Sequence, residues 1–104
     1  MSEISPDLTL AEVTRNLRMS AETVAALVDC GIVEPRGEQS NQWLFEPHMV
    51  TLIQRASRLQ RDLDLEWPAV ALAMDLMKDL QRLRNENQRL RQQLAALVEL
   101  DLAD

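Results

Sequence analysis

The stretch that decides the fold of this chain runs from Leu10 to Phe45 and reads LAEVTRNLRMSAETVAALVDCGIVEPRGEQSNQWLF. Thr9 precedes it directly and Glu12 follows three residues later, which is the spacing of a capping box at the start of a helix. The apolar residues after this box recur at helical spacing as far as Leu17. The pattern predicts a first helix from about Leu10 to Leu17.

A second helix and a β element follow within the same stretch. Ser20 is a favourable N-cap, and Gly31 can adopt the left-handed conformation that often ends a helix. Beyond it, two short apolar runs, Ile32-Val33 and Trp43-Leu44-Phe45, flank the polar segment from Gly37 to Gln42. This arrangement predicts a β-hairpin wing, and hence a small winged helix-turn-helix domain.

The framework of this domain resembles that of MerR-type regulators. Such regulators open with an apolar-x-Glu-apolar helix, continue with a Val-Ser-x-x-Thr start of the recognition helix, and close with a Gly-apolar turn and a Pro-Arg wing. The resemblance implies a mainly α, MerR-like winged helix-turn-helix fold with a small β-hairpin wing. The matching pieces are Leu10-Ala11-Glu12-Val13, Met19-Ser20-Ala21-Glu22-Thr23 and Gly31-Ile32-Val33-Glu34-Pro35-Arg36.

The charges with which such a domain holds DNA are missing. Where MerR-type recognition helices carry Arg and Tyr, this chain has Glu22, Ala25, Ala26 and Leu27, and Trp43 in the wing is followed by two apolar residues. The net charge is -6, and the first 40 residues contain seven acids and three arginines. Because Lys and Arg contacts to phosphate supply most non-specific DNA affinity, we expect a basic protein partner and no direct binding of nucleic acid.

Two further helices complete the chain. Glu46-Pro47 restarts a helix whose inner face is marked by Val50, Ile53, Ala56 and either Leu59 or Leu63. The run from Leu63 to Pro68 breaks that helix, and a last helix is predicted from about Pro68 to Leu100. We therefore expect residues 1–66 to form the winged helix-turn-helix domain and residues 67–104 to form a long C-terminal helix.

The last helix carries leucine heptads typical of a coiled coil. Asn87 lies at an a position, where it is best satisfied by its own copy in a parallel, in-register pair. In such a pair the acids at g would face the arginines at e of the other chain, so the pattern predicts a parallel homodimer. The alternatives are a helix that packs on its own domain or on a different protein. The predicted positions are Leu80, Asn87 and Leu94 at a, Leu83, Leu90 and Leu97 at d, Asp79 and Glu86 at g, and Arg84 and Arg91 at e.

Other classes of function find little support in the residues. One cysteine, Cys30, one histidine, His48, and two glycines supply neither a metal-ligand set nor a catalytic triad nor a glycine-rich phosphate loop. We therefore predict no enzyme activity, no cofactor and no metal site. Since no apolar run approaches the roughly twenty residues of a membrane span and the first nine residues lack secretion-signal features, we expect a cytoplasmic protein.

Five segments, taken in order, carry a narrower resemblance to the bacterial chaperone modulator proteins CbpM. Proteins of that family bind the J-domain of CbpA, a DnaJ-like co-chaperone that also binds curved DNA, and restrain its stimulation of Hsp70 and its DNA binding. The resemblance implies that this chain is such a modulator. The segments are Gly31-Ile32-Val33-Glu34-Pro35-Arg36, Trp43-Leu44-Phe45, Arg55-Ala56-Ser57-Arg58-Leu59, Leu63-Asp64-Leu65-Glu66-Trp67-Pro68 and Asn85-Glu86-Asn87-Gln88-Arg89-Leu90-Arg91.

Two acidic surfaces are candidates for the contact with the partner. Charges steer the encounter while buried apolar side chains dominate affinity, so each candidate combines acids with an aromatic residue. The first, favoured for its density of acids, comprises Asp62, Asp64, Glu66 and Trp67. The second comprises Glu22 and Asp29 beside the wing residues Glu34, Arg36 and Trp43. The competing hypotheses are a MerR-like, dimeric, DNA-binding transcription regulator and a structural coiled-coil adaptor.

Overall fold

The computed structural model of the chain describes residues 6–103. It divides into two compact units, the first ending at Met74 and the second beginning at Asp75. The mainly helical fold, with a small β element and a long C-terminal helix, confirms the predicted fold class. The elements are β1 (Leu8–Thr9), α1 (Leu10–Leu17), α2 (Ala21–Asp29), a 3-10 turn (Ser40–Gln42), β2 (Leu44–Phe45), α3 (Pro47–Leu63) and α4 (Trp67–Leu102).

Helix α1 begins at the predicted capping box. The Thr9 hydroxyl accepts a hydrogen bond from the Glu12 backbone N–H at 3.2 Å, and Glu12 Oε1 accepts one from the Thr9 backbone N–H at 3.0 Å. These bonds satisfy N–H groups that have no partner within the helix. The backbone and then the side-chain hydrogen bonds of Thr9, with a smaller attraction from Arg15, hold the pKa of Glu12 below its ordinary value.

Replacing Thr9 by alanine is expected to lower the free energy of unfolding by about 1 kcal/mol. Because the capping box stabilises ionised Glu12, its electrostatic part is fully present above the unfolded-state pKa of Glu12. That part is lost as the pH falls through the lower folded-state pKa. Urea unfolding at neutral and acid pH measures both effects, and Thr14→Ala, which removes a hydroxyl from the same helix, is the matched control. A loss as large in Thr14→Ala would contradict the capping role.

Helix α2 has the two caps that the sequence predicts. Ser20 Oγ accepts a hydrogen bond from the Thr23 backbone N–H at 3.0 Å. At the other end Gly31 has a φ of +78°, and the Ile32 N–H donates to the Leu27 carbonyl at 3.0 Å. This bond and the left-handed glycine define a Schellman motif, which satisfies carbonyls at the helix end. The caps therefore set the length of α2 locally.

The wing closes at different residues from those expected. Arg36 and Leu44 exchange two backbone hydrogen bonds, of 3.1 and 2.9 Å, in an isolated antiparallel bridge. The run Ile32-Val33 forms no strand, because the Ile32 N–H is used in capping α2 and the Val33 side chain is buried in the core. Instead β2 pairs antiparallel with β1, which lies just before α1. The predicted first arm of the hairpin was therefore placed too early.

The core lies where α1, α2, β2 and α3 meet. Of the predicted inner face of α3, Ile53 and Ala56 are buried and Val50 is half-buried. Leu59 packs against the core, whereas Leu63, the other residue proposed for that position, is 57% exposed. Leu63 is the last residue of α3, so its side chain lies at the end of the helix rather than over the core. The buried residues are Val13, Val24, Leu27, Val33, Phe45, Met49, Ile53, Ala56 and Val70.

Helix α4 has two parts with different surroundings. Its first turns contribute to the core of the first unit, because Val70 is buried and Trp67 and Met74 pack against it. From Asp75 onward every residue as far as Ala103 is exposed. The predicted last helix is confirmed and extends by about one residue at its start and two at its end.

Candidate partner-binding surfaces

The helix-break surface consists of Asp62, Leu63, Asp64, Glu66 and Trp67. The three carboxylate side chains are exposed, and Leu63 exposes more than half of its surface between two of them. Trp67 is half-buried, since it also packs against the core. The surface therefore combines negative charge with an aliphatic contact. Leu63 is an apolar contact that the sequence prediction, which names Trp67, does not include, although a leucine between two acids is a signal for it.

The backbone holds the helix-break surface in place. Asp64 ends α3 in the left-handed conformation, with φ of +51° and ψ of 49°. Aspartate tolerates this conformation better than most residues other than glycine. Three residues later, at Trp67, α4 begins, and the Val70 N–H donates to the Glu66 carbonyl at 3.0 Å. Asp62 therefore lies in the last turn of α3, and Asp64 and Glu66 lie on the short connection to α4.

The recognition-helix surface consists of Glu22 and Asp29 on α2 and of Glu34, Arg36 and Trp43 in the wing. Glu22 and Asp29 are exposed, one at each end of α2, and Glu34 is exposed in the wing. The helix carries no Lys or Arg between Ala21 and Asp29. Trp43 is half-buried and meets Phe45 edge to face, with ring centroids 6.1 Å apart and an interplanar angle of 89°. Because this contact and the core cover much of the indole ring, the surface offers a partner charge more than apolar area.

The basic residue of the wing is already engaged within the domain. Arg36 forms an ion pair with Asp7, while its backbone pairs with Leu44. The segment from Gly37 to Gln42 adds no Lys or Arg. The wing therefore lacks the free cations with which a winged domain contacts a phosphate backbone.

The seam consists of Leu80, Leu83, Asn87, Leu90, Leu94 and Leu97, and it lies on α4 within the second unit. All six residues are exposed, and the five leucines expose between 47% and 62% of their surface. Steps of three and four residues place them on one stripe of the helix. A leucine stripe of this length left in water is typical of a helix that pairs with another chain.

Only some of the charged residues beside the seam form ion pairs within α4. Arg82 lies 3.9 Å from both Asp79 and Glu86. Within residues 6–103, Arg84 and Arg91 form no ion pair. The guanidinium groups at the e positions are therefore available to a second helix. Surface pairs at 3.9 Å are weak, so Asp79 and Glu86 can also exchange partners.

The described surfaces offer charge and apolar contact. Among residues 6–103 no group of three or more His, Cys, Asp or Glu side chains is placed to hold a metal ion. In the same part of the chain, no helix combines the length and the apolar character needed to cross a membrane.

Residues 8–92 match the model of the MerR HTH family of regulatory proteins. The fold and this match define a protein of the MerR helix-turn-helix class. Chaperone modulatory proteins CbpM from Escherichia coli (strain SE11) and from Shigella boydii serotype 18 are each 38% identical to the chain over 98 residues, which is 94% of this chain and 97% of each relative. The chain therefore belongs to the family of chaperone modulatory proteins CbpM, as its motifs indicated. These relatives are modulators and regulators, not members of enzyme families.

Proposed function

We propose that the chain binds the J-domain of a CbpA-type, DnaJ-like co-chaperone and inhibits both its stimulation of Hsp70 and its DNA binding. The observation that carries this proposal is the 38% identity to proteins named CbpM over 94% of the chain. The family resemblance implies a basic second helix in the J-domain, beside the His-Pro-Asp loop on which Hsp70 docks. An acidic protein that covers this face blocks Hsp70 by competition.

The helix-break surface is our first candidate for the contact. Asp62, Asp64 and Glu66 place three exposed carboxylates where a basic helix would be attracted. Leu63 supplies aliphatic surface that such a helix could bury, and exclusion of water around a buried side chain is what usually dominates affinity. Trp67 lies at the edge of the contact, because part of its ring belongs to the core.

The recognition-helix surface is the second candidate. Glu22 and Asp29 supply negative charge at the two ends of α2, but Trp43 is largely engaged with Phe45 and the core. Acids that are spread over α2 and the wing, together with less apolar area, make this surface the weaker of the two. Two variants, each with the same change of charge on one of these surfaces, distinguish the candidates by their rates of association with the J-domain.

We further propose that the chain forms a parallel homodimer through the seam. A second copy satisfies three features at once: it covers the exposed leucines, gives Asn87 an amide partner, and brings Asp79 and Glu86 opposite Arg84 and Arg91. Antiparallel pairing would instead bring like charges at the g positions together. The order and sign of the charges therefore favour the parallel arrangement.

Replacing Asn87 by leucine is expected to raise the thermal midpoint of the dimer and to broaden its oligomer distribution. The reason is that a buried asparagine costs stability but specifies register and chain number. Circular dichroism melting and analytical ultracentrifugation measure the two effects. Asn85→Leu, at an outward f position two residues earlier, is the matched control and should change neither. Equal effects in both variants, or monomers throughout, would contradict the seam.

We also propose that the chain has no enzyme activity, no cofactor and no direct contact with nucleic acid, and that it is located in the cytoplasm. The MerR-type fold leaves a dimeric DNA-binding regulator as the alternative function. The absence of Lys and Arg from α2 argues against it. Chromatography on heparin at low salt separates the two functions, because a DNA-binding protein is retained there and a modulator of this charge flows through.

Isothermal titration calorimetry tests the proposed function directly. The full chain is titrated with the isolated J-domain of the CbpA-like protein from the same organism, and the J-domain of the general DnaJ serves as control. We expect saturable binding of the first domain at a fixed stoichiometry, with weaker or no binding of the second. If neither domain binds, the proposed partner is wrong.

A further inference from the structure

A third charged surface, opposite in sign to the two acidic candidates, lies between the end of α1 and the outer face of α3. It is a cavity of about 390 Å³ within the first unit. Its polar lining consists of Arg18, Arg58, Arg61, Asn16, Gln54 and Ser57, and we call it the arginine groove. Leu17 and Met19 add an apolar portion. The groove is basic although the chain as a whole carries a net charge of -6.

The two walls of the arginine groove have separate origins in the sequence. On α3, Gln54, Ser57, Arg58 and Arg61 follow one another in steps of three, one and three residues, which places them on one stripe of the helix. The facing wall is built around Arg18, which ends α1 in the left-handed conformation with φ of 55° and whose N–H donates to the Thr14 carbonyl. The groove therefore brings Arg18, at the end of α1, to the same surface as Arg58 and Arg61 on α3.

The guanidinium groups of the groove are not neutralised by neighbouring acids. In the part of the chain that the structure describes, none of the ion pairs involves Arg18, Arg58 or Arg61. The chain contains 17 acids and 11 bases, so acids outnumber bases. Within residues 6–103, however, no acid forms an ion pair with any of these three arginines. Guanidinium donors match carboxylate and phosphate geometry, often with two parallel hydrogen bonds.

We propose that the arginine groove binds an acidic segment of a polypeptide. Carboxylates of the segment would pair with the three arginines, its backbone would bond the amides and hydroxyl of Asn16, Gln54 and Ser57, and an aliphatic side chain would contact Leu17 and Met19. This set of contacts suits a peptide better than a nucleic acid. A phosphate backbone carries no aliphatic side chain to contact Leu17 and Met19, whereas a segment of acidic and aliphatic residues supplies both kinds of group.

The test uses the full chain and a fluorescein-labelled peptide of glutamate and leucine, with a glutamine-for-glutamate peptide as control. Fluorescence anisotropy at low ionic strength should show saturable binding of the acidic peptide alone. Arg58→Gln combined with Arg61→Gln should weaken binding by about tenfold or more, the usual cost of losing charge-assisted hydrogen bonds. The matched control combines Arg55→Gln, on α3 outside the groove, with Arg89→Gln on α4, and should leave the affinity within about twofold.

Three outcomes would overturn the proposal. They are no saturable binding of the acidic peptide, equal weakening in the two double variants, and tighter groove-dependent binding of a labelled thymidine oligonucleotide than of the peptide. Circular dichroism on both double variants verifies that they are folded. Neither probe contains a J-domain, so failure here leaves the proposed co-chaperone contact untouched, and failure of that contact leaves the groove untouched.

Discussion

Replacing Asp62 and Glu66 by lysine and Asp64 by asparagine is expected to slow association with the proposed partner, a co-chaperone J-domain, by about ten- to a thousandfold at low ionic strength. The three changes move the net charge from -6 to -1 and remove the negative field at the exposed break. Asparagine is chosen at position 64 because that residue has a φ of +51° and must tolerate the left-handed conformation. Stopped-flow measurements across a salt series would show both slower association and a flatter salt dependence.

The matched control carries the same change of charge on the recognition-helix side. It replaces Glu22 and Glu34 by lysine and Asp29 by asparagine, all of which are exposed. Slow association in the first variant alone assigns the contact to the helix-break surface, and slow association in the second alone assigns it to the other candidate. Equal slowing in both would mean that net charge, rather than a local surface, steers the encounter. Helical content should be unchanged in each variant.

If the chain forms the proposed dimer, introducing aspartate at both Leu83 and Leu90 is expected to convert it fully to monomer. These leucines are the two d positions on either side of Asn87, and both are exposed in the single chain, so the substitutions remove no packing from the first unit. In a parallel pair they would instead bury facing like charges, which the dimer cannot compensate. Sedimentation equilibrium over a range of concentrations measures the change in mass, and tryptophan fluorescence should remain unchanged.

The control for the seam adds the same negative charge to the outward side of the helix. Gln88→Asp and Gln92→Asp fall at b and f positions, away from the predicted contact. This variant should stay dimeric, because its new charges remain in water. Dissociation of both variants to the same extent would indicate that helix stability or net charge, and not the leucine stripe, holds the copies together.

The two acidic candidates and the arginine groove place opposite charges on one small domain. Asp62 and Asp64 follow Arg58 and Arg61 directly along the end of α3, yet none of the ion pairs in residues 6–103 joins them. Each set of charges is therefore free for a partner. A domain with this distribution can orient a bound protein by two contacts of opposite sign, which improves specificity more than affinity.

Features set by neighbouring residues could be predicted well. The capping box of Thr9 and Glu12, the N-cap Ser20 and the left-handed Gly31 each depend on contacts within a few residues, and each is found where the sequence placed it. The heptads of α4 are likewise a local pattern. Family membership was also predictable, because the motifs that carry it extend over most of the chain.

Features set by packing could not be predicted in the same way. The apolar run Ile32-Val33 has the composition of a strand, but the Ile32 N–H caps α2 and the Val33 side chain is buried in the core. Strand β2 therefore pairs with β1 instead. Periodicity alone left Leu59 and Leu63 as alternatives for one position, and only the end of α3 at Asp64 separates the packed residue from the exposed one.

Helix limits and the leucine heptads of α4 follow from short-range patterns, because backbone capping and side-chain periodicity are properties of nearby residues. The sign of the net charge follows from composition alone. The side chains that share a surface are decided by tertiary contacts between segments far apart in the chain. Arg18 shares a groove with Arg58 and Arg61 although 40 residues separate it from Arg58 in the sequence. Trp43 is partly covered because it contacts Phe45 and packs against the core. Long-range packing therefore determined which charged and apolar residues are available to a partner.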